Sequence, residues 1–173
     1  ISASPGNAEL KDMLLKLDWS IADGHRASLR YSRTEQVEPL PQNFFSSNTG
    51  SGLGLSSDWY IQNKKLDSIV GQWFADWSAV FSTEVKASKR NYDSVPTPFE
   101  GGRMPYMQFQ FQGALPAGLP AGFSTVQRTL YAGTERSRHT NVLKTDTSDV
   151  YAAGNYLAGE HEIKFGADWA DNK

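Results

Sequence analysis

Apolar side chains recur at every second position, in pairs of segments joined by a tight turn, and this arrangement occurs three times. The first pair runs from Met13 through Trp19 and Asp23-Gly24 to Arg33. The second runs from Leu66 through Trp77 and Ser78-Ala79-Val80 to Tyr92, and the third from His139 through Tyr156 and Ala158-Gly159 to Trp169. A two-residue period places successive side chains on opposite faces of an extended strand, whereas a helix needs apolar residues three and four apart. The period therefore predicts an antiparallel meander of β-hairpins, an all-β fold with hairpins at 12–34, 65–92 and 138–170. Long polar connections, 35–64 and 93–136, separate them.

Strand by strand, the two faces differ in kind. Met13, Leu15 and Leu17 oppose Lys16 and Asp18; Ala27, Leu29 and Tyr31 oppose Arg26, Ser28 and Arg30. Ile69, Trp73 and Trp77 oppose Ser68, Gln72 and Asp76, with Val70 and Phe74 interrupting the polar side. Val85 and Ala87 oppose Glu84, Lys86 and Arg90; Val150 and Tyr156 oppose Asp149 and Asn155; Ile163 and Phe165 oppose Glu162 and Lys164. One face is greasy and the other carries full charges. Short turns at one end, long loops at the other and strands of about ten residues suit a transmembrane β-barrel. The apolar face would meet lipid, and the charged face would line a wet interior. Trp19, Trp77 and Tyr156 sit at the turn ends, where amphipathic rings favour the water–lipid boundary. The alternative is a soluble β-sandwich, for example a carbohydrate-binding module, whose strands also alternate.

Composition narrows the function. The net charge is −2 and the basic residues do not cluster, so no nucleic-acid partner is expected. There is no cysteine, hence no disulfide and no thiolate metal site. No apolar run approaches the ~20 residues of a membrane helix. The chain begins at Ile1 and stops at Lys173 just beyond an alternating run, so it is expected to be a piece of a longer protein. Nucleophile-elbow, Walker and dinucleotide glycine motifs are missing, and His25, His139 and His161 are scattered. No catalytic, cofactor or metal residue is assigned, and no enzymatic role is expected. A weaker option is an outer-membrane enzyme with its site in the barrel wall.

Both loops carry aromatics. Phe44, Phe45, Trp59 and Tyr60 lie in the first, beside the flexible Gly50-Ser51-Gly52-Leu53-Gly54, and are the candidates for ligand binding. In the second, Met107, Phe109 and Phe111 alternate with glutamines, and alternation resumes from Thr125 to Tyr131. Between them stands the repeat Leu115-Pro116-Ala117-Gly118, Leu119-Pro120-Ala121-Gly122, suited to type II turns. An additional hairpin is predicted in this loop.

The run from Gly133-Thr134-Glu135-Arg136 to Val142-Leu143, followed by Gly159-Glu160-His161-Glu162-Ile163-Lys164-Phe165-Gly166-Ala167-Asp168, resembles the barrel of TonB-dependent outer-membrane receptors, and within them the Oar-like subgroup. Leu15-Lys16-Leu17-Asp18-Trp19 with Asp23-Gly24-His25-Arg26-Ala27-Ser28-Leu29-Arg30-Tyr31 resembles their strand–turn–strand unit. The resemblance implies a wide barrel around a plug, with a coupling segment pulled from the periplasm by TonB. The chain shows neither plug nor coupling box, and six strands cannot close such a barrel. What it implies here is a barrel fragment in the cell outer membrane, with four partners: the lipid bilayer, the rest of the barrel and its plug, TonB through the missing N-terminal part, and an extracellular solute.

Overall fold

The computed structural model describes residues 6–41, 43–46, 50–111 and 128–173. Ten strands and two 3-10 turns account for most of them. In chain order the strands are β1 (Glu9–Ala22), β2 (His25–Leu40), β3 (Asn43–Ser46), β4 (Gly50–Gly54), β5 (Tyr60–Ser78), β6 (Phe81–Pro98), β7 (Met107–Phe111), β8 (Arg128–Ala132), β9 (Leu143–Ala158) and β10 (His161–Asn172). The 3-10 turns are Ser56–Asp58 and Arg138–Thr140.

The chain divides into two compact units. The first comprises Leu10–Gln36, Lys64–Ser94 and Leu143–Lys173, and its strands belong to one six-stranded sheet of order β1-β2-β5-β6-β9-β10. The register is fixed where β9 meets its neighbours: Val85 and Ala167 both face Ala152, and Ala87 and Trp169 both face Val150. Partners across an antiparallel pair share a face, so the greasy residues of β6, β9 and β10 form one continuous surface. Positive-φ glycines shape the turns. Gly24 (φ 74°) accepts a 2.7 Å hydrogen bond from Asp76 N, and a Cβ there would stand 2.7 Å from the Asp76 carbonyl oxygen.

This unit has almost no core. A soluble sandwich would bury its greasy face under a second layer. Here Leu15 is 58% and Phe165 57% exposed, and Met13, Leu17, Ile163 and Trp169 are comparably open. Small positions are the exception: Ala75, flanked by Trp73 and Trp77, is 1% exposed. Gly154 is covered by the Phe165 ring of its cross-strand partner, the aromatic cover that compensates a strand glycine.

The second unit comprises 1–9, Val37–Asn63 and Val95–Val142. It holds a four-stranded sheet of order β3-β4-β8-β7. β3 and β4 are antiparallel, β4 and β8 parallel, and β7 and β8 antiparallel with Met107 opposite Ala132. The alternation of Met107–Phe111 and of the stretch ending at Tyr131 thus forms a pair of strands within one loop. The Leu-Pro-Ala-Gly repeat of 115–122 lies outside the described residues. Strands β2, β5 and β6 run well past the alternating stretches, to Leu40, from Tyr60 and to Pro98. Alternation fades there because both faces of these strand ends turn polar, so the period no longer reports two environments.

Candidate functional site

The greasy face of the six-stranded sheet has defined limits. At the tight-turn end it begins with rings. Trp77 donates from Nε1 to Thr83 Oγ1 at 2.9 Å while its ring stays exposed. Its ring meets His25 edge-on at 5.1 Å, and His25 stacks on Trp73 at 5.9 Å. Trp19 and Tyr156 are exposed on the same face. A ring that keeps its N–H or O–H satisfied at one end and its body in an apolar medium suits the membrane boundary.

Toward the long-loop end the same face becomes charged within one alternation. Tyr31 donates its hydroxyl to Asp67 Oδ1 at 2.9 Å, Lys65 sits 3.1 Å from Asp67, and Arg33 pairs with Glu35. Lys89 pairs with Asp146 at 3.3 Å, and Lys173 with Asp171 at 3.2 Å. The apolar stretch between rings and charges therefore spans eight to ten residue steps per strand, as from Tyr156 to Ser148 or from Trp77 to Asp67. At ~3.4 Å per residue and a tilt of ~40°, that is a band of about 21–26 Å, against ~25 Å for outer-membrane barrels.

The opposite face is polar and recessed. A hollow of about 640 Å³ is lined by Arg26, Phe74, Asp76, Glu84, Lys164 and Asp168, among others. A neighbouring hollow of about 500 Å³ involves Lys16, Asp18, Ser20, Ser28 and Gln72. Gln72 Nε2 donates to Glu84 Oε1 at 2.6 Å. The aromatics that interrupt this face each lie against a cation. The Arg26 guanidinium is 5.5 Å from the Phe74 ring centroid, and Lys86 Nζ is 5.6 Å from that of Tyr151. Cation–π contact lets an aromatic sit on a wet, charged surface without leaving its face bare. The lipid-facing and interior-facing sets read from alternation thus occupy opposite faces of one sheet.

The second unit packs around its 3-10 turn. Leu55 N donates to Tyr131 O at 2.9 Å, and Gly133 N donates to Ser57 Oγ at 3.0 Å, tying Ser56–Asp58 to β8. Trp59 donates from Nε1 to Gly54 O at 3.0 Å and meets Phe99 edge-on at 5.5 Å, and Tyr60 is buried. Two of the four candidate ligand-binding aromatics are thereby engaged in the unit's own packing. Phe44 and Phe45 pair with Gly52 and Ser51 across β3–β4, and their side chains lie outside what is described.

Asp58 is the feature that no sequence signal marked. It has no solvent exposure, and neither carboxylate oxygen has a hydrogen-bond partner among the described residues. Burial pushes its carboxyl up to about 7, helped by the neighbouring charge of Glu135. Glu135 is also buried, but accepts from Ser137 N at 2.9 Å, Ser137 Oγ at 2.7 Å and Arg138 N, capping the second 3-10 turn. Tyr106 stacks on Tyr131 at 6.2 Å beneath the Arg136 guanidinium, and its hydroxyl is pushed up by burial first and by Asp58 next. Ser56-Ser57-Asp58 reads as an ordinary polar turn, and only the fold reveals that the acid points inward. Among the described residues no group of three or more His, Asp or Glu could hold a metal ion.

Comparison with curated proteins gives no match, and comparison with solved structures gives none. A family model does match, and it covers residues 1–173. A single-layer antiparallel sheet, greasy on one side over the thickness of a bilayer and charged on the other, is what that match leads one to expect: the chain belongs to the outer membrane beta barrel domain family and is a protein of the outer membrane.

Proposed function

We propose that this chain forms part of the wall of a TonB-dependent importer, which draws a scarce solute from outside the cell into the periplasm. The observation that carries the reading is the length of the strands relative to the band they must cross. β2, β5 and β6 have 16, 19 and 18 residues, whereas a membrane crossing needs ~9–11. The surplus lies at the long-loop ends, and the chain also holds a second unit with its own sheet and buried groups. Such an investment in structure beyond what a crossing needs suits capture of a solute before passage better than a bare diffusion pore. The charged inner face, with both signs present, suits a water-filled lumen that contacts an interior plug. In this reading the chain binds and passes a solute and performs no reaction.

Planar-bilayer conductance of the intact protein tests it. A plugged importer stays electrically closed at rest, and site-specific photo-crosslinking in cells links its periplasmic segment to TonB. A steady open-pore current without that crosslink identifies a diffusion porin and refutes the proposal.

A further inference from the structure

Charges on the polar face are not evenly mixed. Near the tight turns, Arg26 and Lys164 share their hollow with Asp76, Glu84 and Asp168. Farther along the strands the balance reverses. A recess of about 210 Å³ brings together Arg30 of β2, Ser68 of β5, Lys86, Ser88 and Arg90 of β6, and Asp149 of β9. The one carboxylate there is already engaged, accepting from Ser88 Oγ at 2.8 Å. Lys86 leans over Tyr151. Arg30 and Arg90 make no ion pair among the described residues, in a protein whose other polar-face lysines pair with near neighbours: Lys16 with Asp18, and Lys164 with Glu162.

We infer that this recess is an anion-binding subsite, which takes an oxyanion group, carboxylate or phosphate, of a solute inside the barrel. Three cations gathered around one occupied acid repel one another, and an incoming anion relieves that repulsion. Two guanidinium forks present parallel N–H donors that match the spacing of oxygens on carboxylate or phosphate. The Ser68 hydroxyl adds a neutral donor. The inference needs only a water-filled interior, so it does not depend on how uptake is energised.

Titration of the intact, detergent-solubilised protein with inorganic phosphate at low ionic strength tests it. Saturable binding is expected, weakened at least tenfold in Arg30→Gln/Arg90→Gln and unchanged in Arg26→Gln, a cation of the same face outside the recess. Arg30→Lys/Arg90→Lys retains the charges but loses the forks, and should fall between wild type and the glutamine pair. It also serves as the folded comparison should the glutamine pair assemble poorly. Three results would overturn the inference. One is absence of saturable binding to wild type, including because an acidic segment of the protein itself fills the recess. The others are equal weakening in Arg26→Gln, and unaltered binding in both double variants. The conductance and crosslinking described above read plug and coupling, so failure there leaves this titration interpretable.

Discussion

The most direct test of the two-faced sheet uses adjacent residues on one strand. Ala152 and Ala153 are neighbours in the middle of β9, and both are small. Ala152 lies on the greasy face, between Val85 of β6 and Ala167 of β10; Ala153 lines the polar hollow, opposite Glu84 and Gly166. The apolar run of β9 extends from Tyr156 to Val150, so Ala152 is near its centre and far from either polar boundary. An arginine at a lipid-facing midplane position costs ~2–4 kcal/mol. That corresponds to a roughly thirtyfold to nearly thousandfold loss in the folded-to-unfolded ratio. The same arginine at position 153 enters a wet hollow already lined by Asp76, Glu84 and Asp168, and should cost well under ~1 kcal/mol, as for other substitutions at solvated positions. Urea titration of the intact protein refolded into lipid vesicles measures both. Ala152→Arg should lower the midpoint by the full midplane cost and Ala153→Arg by little. Equal effects, or the reverse order, would refute the assignment of faces. Ile163→Arg, one strand away and close to the tight turn, should be milder than Ala152→Arg because the penalty declines toward the interface, yet still worse than Lys164→Ala on the polar side.

The second unit supplies two further tests. Gly133 adopts φ 85°, and a Cβ there would collide with the Pro105 carbonyl. Gly133→Ala should therefore destabilise this unit by at least ~1 kcal/mol, seen as faster protease cleavage within 95–142 while the spanning strands stay protected. Asp58 gives a pH dependence with a defined sign. Its carboxyl is raised from 3.8 to about 7, so the folded unit holds a proton that the unfolded chain releases. Stability is greatest below pH ~4, falls as pH rises through ~7 and is flat above, by roughly 2–4 kcal/mol in all. Hydrogen exchange of residues 55–60 at pH 5 and pH 8 should show faster opening at the higher pH. Asp58→Asn should abolish the difference, and an unchanged difference in that variant would assign it to another group.

The legibility of this fold follows from where alternation reports two media. Met13, Leu15 and Leu17 on one side and Lys16 and Asp18 on the other announce a strand between lipid and water, and the turns at Asp23-Gly24 and Ala158-Gly159 announce its partners. The same signal fails beyond Tyr31 and Asp67. There Arg33, Glu35, Lys65 and Asp67 occupy the outward positions, and a strand with polar groups on both sides looks like a loop. Strand ends at Leu40 and Tyr60 were therefore invisible, although the backbone continues to pair. The place where the period disappears still carries information, because it marks the edge of the hydrocarbon.

Neither the cationic recess nor the surroundings of Asp58 lie within one segment, and this is why sequence patterning could not isolate them. Arg30, Lys86 and Arg90 were each legible as inward charges, but their convergence depends on the cross-strand alignment of β2, β5 and β6, which a strand's own sequence does not state. Asp58 is subtler, because its burial depends on contacts from chain more than seventy residues away: Ser57 receives Gly133 N, and Leu55 reaches Tyr131. A buried carboxylate without a hydrogen-bond partner among the described residues costs stability unless it is neutral or neutralised. The acidic pair and the cationic recess thus state the same physical rule in opposite senses. A charge held where nothing answers it is costly, and Asp58 and the cationic recess are therefore places from which a proton or an anion can shift this chain's behaviour.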